Sequence, residues 1–120
     1  MRFSKLLNRF DIDVIKEISI EEHHILARNV AKILSNKFNY IEYGYVYEKL
    51  MIAKVYIADL PEGITNAIYS YEEDTLLISM YEDISHVSED LLYECIHAIQ
   101  DIRNKKGEIR QLRTMLFLRL

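Results

Sequence analysis

The segment NAIYSYEEDTLLIS, residues 66–79, contains two runs of strand-forming residues on either side of a short acidic stretch. Residues 64–71 and 75–79 are rich in β-branched, aromatic and other apolar side chains, which favour strands. Between them, residues 72–74 are all acidic and form a connection of a length found in many hairpins. The segment therefore predicts a β-hairpin.

The residues before this hairpin predict one more strand and a short helix. Residues 55–57 are β-branched or aromatic, and the turn formers at 61–63 end the strand that they predict. Residues 39–51 fit two patterns, because their tyrosines alternate as on a strand and also fall on one helical face. The good helix formers at residues 48–51 favour the helix.

A longer helix is predicted at residues 20–37. Ser19 and Glu22 form a capping box, in which each side chain satisfies a free backbone N–H at the helix start. The apolar residues behind it recur at steps of three and four and predict one buried face: Ile25, Leu26, Val30, Ile33 and Leu34. A shorter helix is predicted near residues 3–9.

The last helix is predicted at residues 88–105, with Ser88 as its N-cap and Gly107 just beyond its end. Its apolar face consists of Leu91, Leu92, Cys95, Ile96, Ile99 and Ile102. A polar stripe on the opposite side consists of Asp90, Glu94, His97 and Asp101. Three carboxylates and an imidazole on one stripe are groups that bind a divalent cation.

The order of helices, sheet and helix predicts the α+β class, with a small antiparallel sheet packed between an N-terminal helix and the C-terminal helix. The chain has 120 residues, enough for one domain, which we place at residues 1–109. No apolar run approaches the roughly 20 residues that cross a bilayer, so no membrane span is expected. The only cysteine, Cys95, lies on the apolar helix face and is expected to be buried, in agreement with a cytoplasmic protein.

Charge is distributed unevenly along the chain. Residues 103–120 carry six basic residues and one acidic residue, a net charge of +5, whereas residues 1–102 carry −9. Residues 110–120 combine arginines with leucine and phenylalanine, and we interpret them as a basic, apolar tail or as the start of a further helix of a longer protein. The acidic body argues against nucleic-acid binding.

The last helix also carries a motif. Tyr93-Glu94-Cys95-Ile96-His97 resembles the His-Glu-x-x-His motif of the zincin metallopeptidases, with tyrosine in place of the first histidine. Residues 66–79 resemble the strand pair that precedes the active helix in that superfamily, and residues 90–101 resemble the helix itself. The resemblance covers residues 64–102 and extends more faintly to uncharacterised bacterial proteins. It implies a zincin-like minimal core.

The resemblance also implies roles for single residues. In the complete motif, two histidines one helical turn apart bind zinc, and the glutamate takes a proton from the metal-bound water. His97 then matches a metal ligand and Glu94 the general base, while Asp101 is a further candidate ligand. Tyr93 stands at the position of the missing ligand, and neutral tyrosine is a poor one. We therefore expect a degenerate zinc site and no competent zinc peptidase; any activity that survives would be peptide-bond hydrolysis.

Two alternatives stay open at this point. The motif helix is also what an unrelated amphipathic surface helix looks like. The whole chain is alternatively a non-enzymatic interaction module that uses residues 110–120 for self-association or for a peptide or protein partner. The neighbouring His23 and His24 point about 100° apart on a helix, so we expect exposed side chains and no shared metal ion.

Overall fold

The computed structural model describes residues 12–61, 63 and 65–100. Three helices and four strands lie in this part of the chain, which confirms the α+β class. In chain order they are β1 (Asp13–Glu17), α1 (Ile20–Lys37), α2 (Tyr43–Ile52), β2 (Lys54–Asp59), β3 (Ala67–Ser70), β4 (Thr75–Ser79) and α3 (Glu89–Ile99). None of the described helices is long and apolar enough to cross a membrane.

Helix α1 begins and ends where the sequence predicts. The Ser19 hydroxyl accepts a hydrogen bond from the Glu22 N–H at 3.1 Å, which is one half of the predicted capping box. The other half differs, because the Ser19 hydroxyl itself donates to the Glu22 carboxylate at 2.9 Å. Leu26, Val30 and Leu34 of the predicted face are buried, together with Ala27 and Ala31, whereas Ile25 and Ile33 are only partly buried.

Because one cap bond starts α1, removing it should have a measurable cost. We expect Ser19→Ala to lower the free energy of unfolding by about 1 kcal/mol, the usual cost of losing a serine N-cap. Urea denaturation measures this difference. A matched control is Ser35→Ala in the same helix, where Ser35 only contacts the Lys32 carbonyl at 3.4 Å and alanine is the better helix former. Equal losses in both variants would contradict the capping role.

The ambiguous tyrosine segment forms helix α2, as predicted, since Val46 and Leu50 face the core. The hairpin is also confirmed: β3 pairs with β4 in antiparallel register, from Ala67 opposite Ile78 to Ser70 opposite Thr75. Strand β3 begins at Ala67, three residues later than the start predicted at residue 64. In the turn, Asp74 takes a positive φ of 48°, a conformation that aspartate tolerates better than most residues.

The sheet is mixed, whereas the sequence predicts an antiparallel one. Its strand order is β1-β2-β4-β3, and β2 and β4 are parallel from Lys54 opposite Thr75 to Ala58 opposite Ser79. After β2 the chain forms the edge strand β3, and the hairpin then places β4 between β2 and β3. Strand β3 runs opposite to β2, and the hairpin makes β4 run opposite to β3, so β2 and β4 are parallel.

Strand β1 is absent from the sequence prediction. It pairs with β2 in antiparallel register, with a β-bulge between Val14 and Lys16, and all five of its side chains are exposed. Strand prediction depends on an alternation of buried and exposed residues, and this strand has none. Tertiary pairing with β2 is what holds it in the sheet.

The main core lies between the sheet and the helices. Strand β4 is central, and all five of its residues are buried. Leu76 and Ile78 join the cluster that α1, α2 and α3 cover, whereas Leu77 joins a smaller cluster with Ile12, Ala58 and Leu60. Leu91, Cys95, Ile96 and Ile99 bury the predicted apolar face of α3, and Ser88 caps that helix.

Several predictions fall outside the described residues. These are the helix near residues 3–9, the candidate ligand Asp101, the glycine at 107 and the tail at residues 110–120. The end of the last helix is described and differs from the prediction: α3 ends at Ile99, with Gln100 as its C-cap, six residues before the end predicted at residue 105.

Candidate functional site

The polar stripe of α3 lies beside the edge strand β3. We define the α3 polar stripe as Asp90, Glu94 and His97, its members within the described residues. The Asn66 side-chain amide donates to the Asp90 carboxylate at 3.5 Å, and the Tyr69 backbone N–H donates to Glu94 Oε1 at 3.4 Å. The stripe therefore borders the sheet, a neighbourhood that a helical wheel cannot show.

The outer edge of β3 is bonded by side chains of the same chain. The Ser79 N–H donates to the Asn66 carbonyl at 2.9 Å, so the backbone polar groups of Asn66 point towards β4. In this antiparallel register the backbone N–H and carbonyl groups of Ala67 and Tyr69 then point away from β4, towards the open edge. The Thr65 hydroxyl accepts from the Ala67 N–H at 3.3 Å and donates to the Ala67 carbonyl at 2.7 Å. Glu94 occupies the next outward N–H, that of Tyr69. Such contacts occupy backbone groups that an open edge offers to another chain.

The Glu94 carboxyl is half-buried in this position. Its side chain is 22% exposed, and desolvation raises its pKa from 4.5 to about 7. The hydrogen bond from Tyr69 acts in the opposite direction, and repulsion from the Asp90 carboxylate adds to the increase. Glu94 thus changes its protonation state near neutral pH, a property of many acid–base groups and also of buried structural carboxyls.

His97 lies one turn further along the stripe and contacts both motif neighbours. Its Nε2 is 3.9 Å from Glu94 Oε2. The Tyr93 ring packs edge-to-face against the imidazole, with the ring centroids 4.6 Å apart and the planes at 85°. Tyr93 therefore meets His97 through its ring, as an aromatic neighbour.

The donor set of the described residues does not fit a zinc site. A zinc ion in a single-site peptidase takes three protein ligands. No group of three or more His, Cys, Asp or Glu side chains that could hold a metal lies within residues 12–61, 63 and 65–100. Glu94 and His97 supply two donors, and one oxygen of Glu94 already binds the Tyr69 N–H. Cys95 is no candidate ligand, because it is buried and desolvation raises the pKa of its thiol.

The adjacent histidines of α1 are half-buried, so the prediction of exposed side chains is wrong. His23 Nε2 donates to the Leu50 carbonyl at 2.7 Å, and His24 Nδ1 shares a hydrogen bond with the Tyr47 hydroxyl. Both contacts tie α1 to α2. The sequence could not show them, because they join residues 23 to 27 positions apart.

The loop before α3 brings together a serine, a histidine and an aspartate. The Asp83 carboxylate accepts from the Ser85 N–H at 3.0 Å and from His86 Nδ1 at 3.1 Å. The hydrogen bonds from the Ser85 hydroxyl and N–H, with that from His86, lower the pKa of Asp83. Ser85 Oγ also lies 3.2 Å from the same Nδ1 atom, so the imidazole does not bridge the two residues as a proton relay requires. These contacts stabilise an exposed turn.

A cleft between α1 and α2 has no counterpart in the sequence analysis. We define the α1–α2 cleft by its lining residues Ile20, Glu21, His24, Arg28, Tyr43 and Tyr47. Its volume is about 520 Å³. The spacing of its lining residues is the sequence signal that could have indicated it. Residues 20, 24 and 28 recur at steps of four along α1, and Tyr43 and Tyr47 are four residues apart on α2, so each set lies on one helix face.

The comparisons with known proteins add no relative. No protein-family model, characterised protein or solved structure matches the chain.

Proposed function

We propose that this chain is a zincin-like protein of bacterial type with a degenerate metal site, and that it does not act as a zinc peptidase. The observation that supports this proposal is the hydrogen bond between Glu94 Oε1 and the Tyr69 backbone N–H. The residue in the place of the general base is thereby bound to the neighbouring strand. A hairpin followed by the motif helix, in that chain order, is the arrangement that the resemblance implies.

The chemistry of the motif supports the same proposal. A general base must direct a free oxygen at the water whose proton it takes. At Glu94, Oε1 accepts from Tyr69, and Oε2 lies 3.9 Å from His97. Tyr93 packs its ring on that histidine at the position where a complete motif has a ligand. In this arrangement His97 contacts both Tyr93 and Glu94, and Glu94 binds the backbone of the edge strand.

The role that fits such a site is binding of a peptide or protein without cleavage. The α3 polar stripe contributes two carboxyls and an imidazole at the sheet edge, while the outward N–H groups of Ala67 and Tyr69 are occupied. A partner would therefore meet side chains here rather than an open strand. The alternative, an interaction module acting through residues 110–120, depends on residues outside those described.

Restoring the missing ligand tests the proposal. We expect the native chain, purified without a histidine tag, to carry well under about 0.1 zinc per chain after dialysis against zinc, because two donors bind it weakly. We expect Tyr93→His to take up zinc clearly above that level, since two imidazoles one turn apart form a chelate. Elemental analysis of the dialysed proteins measures the metal, and a peptide-cleavage assay should show no turnover by the native chain.

Tyr93→Phe is the matched control, because phenylalanine retains a ring for packing on His97 but offers no ligand. It should stay free of zinc. Stoichiometric zinc in the native chain would overturn the proposal, because ligands beyond Glu94 and His97 would then complete the site. Zinc in neither the native chain nor Tyr93→His would remove the chemical support for the zincin resemblance.

A further inference from the structure

The α1–α2 cleft presents apolar and aromatic surface outside the α3 polar stripe. Ile20 is 75% exposed and Tyr43 is 38% exposed, although both are large apolar side chains. The Tyr43 and Tyr47 rings stack with planes 11° apart, and Tyr47 also stacks on His24 with planes 23° apart. These ring contacts hold the cleft in shape before anything binds to it.

Two opposite charges border the same cleft. Glu21 and Arg28 both line it and are exposed, and neither forms an ion pair within the described residues. The Arg28 Nε–H donates to the His24 carbonyl in a long contact of 3.4 Å, and its terminal amino groups make no hydrogen bond to the described residues. The two residues are seven positions apart, so they lie on one face of α1, about 10 Å from each other along the axis.

We propose that a second copy of this chain covers the cleft, with the two α1 helices antiparallel about a two-fold axis near His24. In this register Glu21 of each copy faces Arg28 of the other, because the two positions are equally far from a point between residues 24 and 25. His23 contacts Leu50 and His24 contacts Tyr47, so α1 and α2 are antiparallel, and Tyr43 lines the cleft on the same side as Arg28. The same register therefore brings Ile20 of each copy towards Tyr43 of the other.

The charge pattern selects this occupant. A cleft bordered by one anion and one cation, both without an ion-pair partner among the described residues, is complementary to itself. An acidic or a basic peptide would satisfy one of these charges and repel the other. The stacked rings of His24 and Tyr47 lie near the centre of such a contact, and the exposed apolar surface of Ile20 and Tyr43 lies on either side of it.

The size of the surface sets the expected strength. Helix α1 has 18 residues and is therefore about 27 Å long. One helix face and two tyrosines form less surface than the ~800 Å² per partner of a standard interface. We therefore expect a reversible dimer with a dissociation constant of roughly 10–100 μM. The inference does not depend on the metal site or on the proposed function.

Charge reversal in the full chain tests the inference by sedimentation equilibrium. Arg28→Glu and Glu21→Arg should each weaken the dimer by about tenfold or more, because each change turns two attractions into two repulsions. The double variant E21R/R28E should restore the dimer, since it exchanges the two charges and keeps them complementary. Restoration is specific to a surface that pairs with itself.

The control is Lys37→Glu, which changes the net charge as Arg28→Glu does but lies at the far end of α1, outside the cleft. It should leave the dissociation constant within about twofold. Circular dichroism of each variant verifies that α1 is intact, since arginine at residue 21 opposes the helix dipole. A chain that stays monomeric at about 1 mM would overturn the inference. So would a dimer that is insensitive to both single reversals, or one that the double variant does not restore.

Discussion

Leu76→Ala should lower the free energy of unfolding by about 3 kcal/mol, within the 2–5 kcal/mol that buried leucine-to-alanine changes cost. Leu76 is fully buried in the central strand β4, paired with β2 on one side and β3 on the other, and it joins the cluster beneath the helices. Removing three carbons there leaves a cavity that rigid neighbours on both strands cannot close. Urea denaturation followed by circular dichroism measures the loss.

Leu77→Ala is the matched comparison, because Leu77 is the next residue on the same strand and is also buried. Its side chain points to the other face of the sheet, where the smaller cluster of Ile12, Ala58 and Leu60 lies. We expect it to cost less than Leu76→Ala, since a smaller cluster can adjust more easily around the deletion. An equal or larger loss would show that the second face is as tightly packed as the first.

The parts of the fold that the sequence predicts are those that local signals specify. Helix α1 has a cap at Ser19 and a regular apolar face behind it, so both of its ends could be predicted. The start of helix α3 could be predicted in the same way, from its cap at Ser88. The hairpin of β3 and β4 has two apolar strands and a short acidic connection. In each case the deciding residues lie within a few positions of one another.

The parts that the sequence does not predict depend on contacts between distant residues. Strand β1 has five exposed side chains, so it carries no alternation, and only pairing with β2 places it in the sheet. The parallel pairing of β2 and β4 follows from the return of the chain around β3, which no single segment encodes. Both are tertiary features that override weak local preferences.

The candidate site divides in the same way. Spacing alone places Asp90, Glu94 and His97 on one stripe of a helix. Spacing does not show that this helix lies along an edge strand, nor that Glu94 binds the backbone of Tyr69, 25 residues earlier. The motif therefore suggests an outward-facing base, whereas the packing of α3 on β3 gives a half-buried carboxyl with a structural partner.

This burial makes the stability of the protein depend on pH. The folded-state pKa of Glu94 is raised from 4.5 to about 7. Below pH 4.5 the carboxyl is protonated in both the folded and the unfolded chain, so its contribution to stability is fully present there. Between pH 4.5 and about 7 the unfolded chain loses this proton while the folded chain still binds it. The stabilising contribution of the protonated carboxyl therefore falls as the pH rises, and it is lost above about pH 7.

Glu94→Gln should therefore stabilise the protein at pH 8, by about 1–2 kcal/mol. The full shift corresponds to about 3 kcal/mol, and we reduce it because 22% of the side chain is exposed to water. Glutamine keeps an oxygen that accepts from the Tyr69 N–H and cannot ionise. At pH 4.5 or below, where wild-type Glu94 is protonated, the two proteins should differ by less than about 0.5 kcal/mol.

Urea denaturation of wild type and Glu94→Gln at pH 4.5, 6, 7 and 8 measures this dependence. Glu48→Gln is the matched control, because it makes the same substitution at an exposed glutamate on another helix. A stabilisation by Glu94→Gln that grows between pH 4.5 and 8 would establish Glu94 as a carboxyl ionised at a cost in the folded chain. A destabilisation at pH 8 would mean instead that the folded protein favours the ionised form, as it would beside a bound cation. That result would argue for a metal at Glu94 and against the degenerate site proposed above.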